Sequence, residues 1–94
     1  MDNSSDVLSA LVSVAIERSL TDVSGLVCEN IGNLLYEKYN CYFSNCVEHP
    51  DYLVDILKTQ FGVGYLPIIK SINCRLEEFS YQVKIKEFLL GINK

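Results

Sequence analysis

Apolar residues recur every three or four positions through most of this chain, and that spacing constrains the fold more than any other feature. The first such helical face consists of Val7, Leu8, Leu11, Val12, Ala15, Ile16 and Leu20. The second, after a start at Thr21 or Asp22, consists of Val23, Leu26, Val27, Ile31, Leu34, Leu35 and Tyr39. Asn40 is suited to a left-handed position at the end of this second helix. The pattern therefore predicts an all-α fold.

Proline and glycine divide the rest of the chain into further helices. Pro50 fits the first turn of a third helix, which ends at the Gly62-Val63-Gly64 turn before a fourth helix begins. The last segment is ambiguous, because Tyr81–Lys86 alternates like a strand while Tyr81–Ile92 also has helical spacing. A single strand would have no partner in this sequence, so we predict a helix there. We expect five helices in one bundle-like domain, residues 1–94.

The charge balance excludes several classes of partner. The chain has 12 acidic and 8 basic residues, a net charge of −4 at pH 7. This acid excess argues against nucleic acid or an anionic membrane as the main partner, because both require basic patches. No stretch reaches the ~18 apolar residues of a membrane helix, and the acidic start lacks the basic region of a secretory signal. We therefore expect a cytoplasmic protein whose cysteines are reduced thiols or metal ligands and not a disulfide framework.

The first helix has little polar surface beyond Ser9, Ser13 and Glu17. Such a helix either lies at the centre of the monomer or is covered by a second copy of the chain. Because 49% of this small chain is hydrophobic, we expect a homodimer in which the same helix face is used by both subunits. The residues predicted to form this interface are Val7, Leu8, Leu11, Val12, Val14, Ala15 and Ile16.

One group of residues has the composition of a metal site. Cys41, Cys46 and His49 have the spacing Cys-x4-Cys-x2-His, and thiolates and imidazole are the ligands that Zn²⁺ prefers, four at a time. Cys28 lies roughly 17 Å from this loop along the second helix and is a poor fourth ligand. An antiparallel fourth helix would bring Cys74 level with the loop, so the candidate zinc ligands are Cys41, Cys46, His49 and Cys74.

The same residues have other interpretations. Cys41 and Cys46 are small apolar residues suited to the core, and His49 directly precedes a helix. A Cys41–Cys46 or Cys46–Cys74 redox disulfide is a second alternative, and a Cys–His nucleophile is a third. We favour the core interpretation and expect no cofactor and no enzymatic activity.

Aromatic residues are concentrated in the middle of the chain, at Tyr36, Tyr39, Tyr42, Phe43 and Tyr52. Tyrosine buries a large area and keeps a polar tip, so such a cluster is typical of a protein interface. The alternative, which we favour, is that these side chains belong to the core of the domain.

Two segments, 35–53 and 61–72, resemble the Nitrosopumilus output domains of thaumarchaeota. The most specific shared element is the Cys-x4-Cys-x2-His-Pro loop at Cys41, Cys46, His49 and Pro50, and the similar stretch covers roughly the middle half of the chain. The resemblance implies a small helical module at the output end of a signalling chain, with no catalytic residues to assign.

Together these observations predict a non-enzymatic output or interaction module of an archaeal signalling or regulatory pathway. It would act through dimerisation and contacts with a protein partner. The alternative function is a small metal- or redox-responsive regulator that uses Cys41, Cys46, His49 and Cys74.

Overall fold

The computed structural model describes residues 4–93, with side chains described from Val7 onward. The α-helices are α1 (Ser4–Thr21), α2 (Gly25–Tyr39), α3 (Pro50–Phe61), α4 (Leu66–Leu76) and α5 (Val83–Ile92). Short 3-10 helices at Phe43–Val47, Gly62–Tyr65 and Glu77–Phe79 join them. This part of the chain contains no strand, and the prediction of an all-α fold is confirmed.

The central element is α1. It packs against the 3-10 helix Phe43–Val47, α4 and α2. Val12, Ile16 and Leu20 of α1 are fully buried by other parts of the same chain. Of the two expectations for this apolar helix, burial at the centre of the monomer is therefore the one that the structure shows.

The predicted cap of α2, at Thr21 or Asp22, lies two or three residues before the observed one. Thr21 belongs to α1, and Ser24 is the residue that caps α2, since its hydroxyl accepts a hydrogen bond from the Leu26 amide at 3.1 Å. The predicted end of the helix is confirmed. Asn40 has φ 55° in the left-handed region, and its amide donates to the Tyr36 carbonyl at 2.8 Å.

The prediction of a helix for the last segment is confirmed, but the helix is shorter than expected. It begins at Val83, and Tyr81 lies exposed in the preceding turn. Ile85, Phe88 and Ile92 are buried, and α5 packs mainly against α3. Burial at this helical spacing decides between the two patterns of the sequence, because only a helix places all three side chains on one face.

After Asn40 the chain turns back along α2. The ring of Phe43 lies over Gly32, 3.5 Å from the position that a Cβ would occupy on that glycine. A glycine in a helix costs about 1 kcal/mol relative to alanine. At Gly32 the ring of Phe43 makes an ordinary van der Waals contact with α2, whereas the 3-10 helix Phe43–Val47 itself packs mainly on α1. The contact between Phe43 and Gly32 forms part of the surface described next.

Candidate functional site

The predicted zinc ligands do not form a metal site. Cys46 is buried in the core and its thiol donates to the Tyr42 carbonyl at 3.7 Å, while Cys41 is half-buried and donates to the Tyr39 carbonyl at 3.3 Å. His49 and Cys74 are exposed. Among residues 4–93 no three His, Cys, Asp or Glu side chains form a group that could hold a metal ion. The zinc prediction is therefore corrected, because the fold directs Cys46 inward and Cys74 outward.

Burial also determines the chemistry of Cys46. It raises the pKa of the Cys46 thiol to about 12, with smaller contributions from the nearby Cys41 and Asp51. A nucleophilic cysteine requires a lowered pKa and access to solvent. The side chain has neither, and this weighs against the Cys–His nucleophile considered from the sequence.

Tyr39, Tyr52 and His49 form an aromatic stack. The ring of Tyr52 lies parallel to Tyr39 with a centroid distance of 4.0 Å, and to His49 at 4.6 Å. The stack joins the end of α2 to the start of α3. These half-buried tyrosines are part of the packing of the domain, as expected for the whole cluster.

An ion pair beside this stack joins the same two helices. Asp55 accepts hydrogen bonds of 2.6 Å from Lys38 Nζ and from the Tyr39 hydroxyl. Both hydrogen bonds lower the pKa of Asp55, and the bond from Lys38 has the larger effect. The bond to Asp55 raises the pKa of both Lys38 and Tyr39. Each group is held in its ordinary charge state at neutral pH, and this arrangement acts as a structural link between α2 and α3.

Of the remaining three aromatic residues of the cluster, Phe43 is half-buried, whereas Tyr36 and Tyr42 lie on the surface. Their rings contact one another with a centroid distance of 5.3 Å and an angle of 45°. Tyr36 is 43% exposed and Tyr42 is 65% exposed. The expectation that the whole cluster is internal is therefore wrong for this pair, which the turn after Asn40 directs outward.

Tyr36 and Tyr42 border a groove between α1, α2 and the 3-10 helix, which we call the aromatic groove. Its lining residues come from three segments and are Ser13, Glu17, Cys28, Glu29, Gly32, Asn33, Tyr36, Tyr42, Phe43 and Ser44. The volume of the groove is about 610 Å³. Phe43 packed over Gly32 provides apolar surface between the two tyrosines and Cys28.

The charged side chains that line the aromatic groove are all negative. Glu17 and Glu29 are exposed carboxylates, and no lysine or arginine lines the groove. Neither carboxylate forms an ion pair within the described part of the chain. A second groove, where α5 meets Pro50, instead carries both signs, with Glu48, Lys84 and Glu87 in its lining. In contrast to this second groove, the aromatic groove combines exposed tyrosines with uncompensated negative charge.

Cys28 is closer to the loop than the sequence indicated. It lines the aromatic groove together with Phe43 and Ser44. The estimate of roughly 17 Å assumed that the loop stays at the end of α2, whereas the chain turns back along that helix. The groove residues Glu29, Gly32 and Tyr36 are spaced as one helix face, and this signal could have indicated the site from the sequence.

The predicted α1 interface is only partly available to a second copy. Val12, Ala15 and Ile16 are buried in the monomer, because α1 is the central helix, and those three assignments are corrected. Leu8 and Leu11 are half-buried and pack against the core. Val7 and Val14 remain exposed at a spacing of two helical turns.

No family model matches the sequence, and no curated protein or solved structure shows significant similarity to it. The similarity to thaumarchaeal output domains therefore stays a prediction. No helix in the described part of the chain has the length and apolar character required to cross a membrane.

Proposed function

We propose that this chain is a non-enzymatic interaction module of an archaeal signalling or regulatory pathway, and that it binds a partner protein in the aromatic groove. The observation that carries this proposal is the exposed pair Tyr36 and Tyr42 beside Phe43. Tyrosines are among the residues that contribute most to binding at protein interfaces, because a partner desolvates a large ring while the hydroxyl keeps a polar contact.

The geometry of the groove supports a protein partner. Tyr36 stands on α2 and Tyr42 on the turn that follows this helix, and their rings contact one another beside Phe43. Tyrosine has only two side-chain torsions, so it buries a large area at a low cost in conformational entropy, which favours affinity.

Dimerisation is the second part of the proposal. The exposed strip of α1 that includes Val7 and Val14, with Leu11 half-buried between them, would pack against the same strip of a second copy. Native mass spectrometry would test this. We expect a dimer for the natural chain and a monomer for Val14→Glu, whereas a natural chain that is monomeric at tens of micromolar would contradict dimerisation.

Site-specific photocrosslinking tests the binding of a partner. A photoreactive phenylalanine analogue would replace Tyr42, and in a matched control it would replace Val63, which is 86% exposed and lies away from the groove. Crosslinking in the host cell should give a defined adduct with another protein from position 42 and none from position 63. Equal crosslinking from both positions, or none from position 42, would contradict the proposed function.

A further inference from the structure

The charge and spacing of the aromatic groove indicate the chemistry of its occupant. We infer that the groove binds a helical segment of a partner protein that carries lysine or arginine one helical turn from an apolar side chain. This inference rests on the proposed function, because it specifies the partner of the same groove.

The carboxylates Glu17 and Glu29 are the first argument. They approach the groove from α1 and α2, and neither has a cationic partner among residues 7–93. An occupant with negative charge would be repelled from both sides, so nucleic acid and acidic peptides are disfavoured. A lysine or arginine would instead form ion pairs that are weak in solvent and become stronger as the partner displaces water.

The aromatic rings are the second argument. A cation near the face of a tyrosine is attracted by the negative potential of the ring, and arginine also stacks on it. Tyr36 and Tyr42 are the two exposed rings at one end of the groove, and Glu29 lies toward the other. Both ends of the groove therefore favour cations, with apolar surface between them.

The spacing along α2 gives the pattern of the occupant. Gly32 and the Phe43 ring form the apolar part of the groove, three residues from Glu29 and four from Tyr36. At 1.5 Å per residue these separations are roughly 5 and 6 Å, which is one turn of a helix. A helix lying along α2 would thus place an apolar residue over Phe43 and a basic residue one turn away on either side.

A peptide-binding experiment tests this inference. The probe is a fluorescent helical peptide of about 16 residues with leucines on one face and arginines one turn from them. The matched control peptide has glutamine at each arginine position. Binding is followed by fluorescence anisotropy at low and high salt, and every variant is first checked for native helicity by circular dichroism.

We expect the arginine peptide to bind more tightly than the glutamine peptide and to bind less tightly as salt is added. The double variant Glu17→Gln and Glu29→Gln should lose about tenfold in affinity and most of the salt dependence. Glu37→Gln removes a carboxylate from α2 outside the groove and should leave affinity unchanged.

Two results would overturn the inference and can be told apart. If both peptides bind equally and both lose binding in Tyr42→Ala, the groove binds peptides but its occupant is not cationic. If neither peptide binds, the cationic helix is excluded, and the crosslinking from position 42 decides separately whether the proposed function fails as well.

Discussion

Gly91 of α5 lies directly against the ring of Pro50, the first residue of α3. A Cβ placed on Gly91 would stand 2.2 Å from Cγ and 2.8 Å from Cβ of this proline. The ring is rigid, so it cannot move aside as a flexible side chain would. The pair therefore sets how closely α5 approaches the start of α3.

Gly91→Ala should destabilise the protein. In an ordinary helix this substitution stabilises by about 1 kcal/mol. Here we expect a loss of about 1–3 kcal/mol in the free energy of unfolding, because two helices must separate to admit the methyl group. Chemical denaturation followed by circular dichroism measures the change.

Gly25→Ala is the matched control, since nothing lies within 4 Å of its Cβ position and it also belongs to a helix. It should be neutral or stabilising. Pro50→Ala should reduce the cost of Gly91→Ala in a double-mutant cycle, because it removes the nearest contact atom. A stabilising Gly91→Ala would contradict the close packing.

Leu35→Ala should lower the free energy of unfolding by about 2–5 kcal/mol. The side chain of Leu35 is fully buried on the core-facing side of α2, so its truncation leaves a cavity. Leu26→Ala on the same helix is the control. Leu26 is 77% exposed, and its loss should change stability by no more than about 0.5 kcal/mol. Equal melting temperatures for the two variants would show that α2 presents another face to the core.

The elements of this fold were predictable, but their arrangement was not. Helical spacing is a local signal, and so are residues that favour the start or end of a helix. Asn40, Pro50 and Gly62 are such residues, and all three lie at helix ends as expected. The turn of the chain back along α2 places the ring of Phe43 over Gly32, eleven positions earlier, and the 3-10 helix that follows the turn packs on α1. That turn brings Tyr42 to Tyr36, and neither periodicity nor composition encodes it.

The sequence left a zinc site open beside the favoured core interpretation for a related reason. The spacing of Cys41, Cys46 and His49 would allow the three side chains to bind one zinc ion, but the spacing does not determine which of them face the core. Cys46 points inward because its helical turn packs on α1. The orientation of a short 3-10 helix is fixed by such packing, so it could not be inferred from the loop sequence alone.

Acid should weaken the link between Lys38 and Asp55. The pKa of Asp55 is lowered from its ordinary value of 3.8 by the hydrogen bonds from Lys38 and Tyr39. The stabilisation is therefore present above pH 3.8 and is lost as the pH falls through the lower, folded-state value. Asp55→Asn should lower the melting temperature slightly at pH 7, and the difference from the natural chain should disappear toward pH 2.

Glu37→Gln is the control for this experiment, because it removes a neighbouring carboxylate that forms no ion pair within residues 7–93. Its difference from the natural chain should not follow the same pH dependence. A constant difference between Asp55→Asn and the natural chain from pH 7 to pH 2 would show that the link does not depend on the charge of Asp55.

Thiol alkylation should distinguish the cysteines. With iodoacetamide at pH 8, the exposed Cys74 should react readily in the folded protein, while Cys46 should remain unmodified because burial blocks access and raises its pKa to about 12. In denaturant both should react at similar rates. Peptide mass mapping identifies the modified residues, and fast labelling of native Cys46 would restore it as a candidate nucleophile.

Binding in the aromatic groove is tested most directly by mapping the amide chemical shifts of the labelled protein during titration with the arginine peptide. The largest changes should fall on residues 28–36 and 42–44, with smaller ones near Glu17, and Tyr42→Ala should abolish them. Changes confined to α4 and α5, or changes that persist in Tyr42→Ala, would contradict binding in this groove.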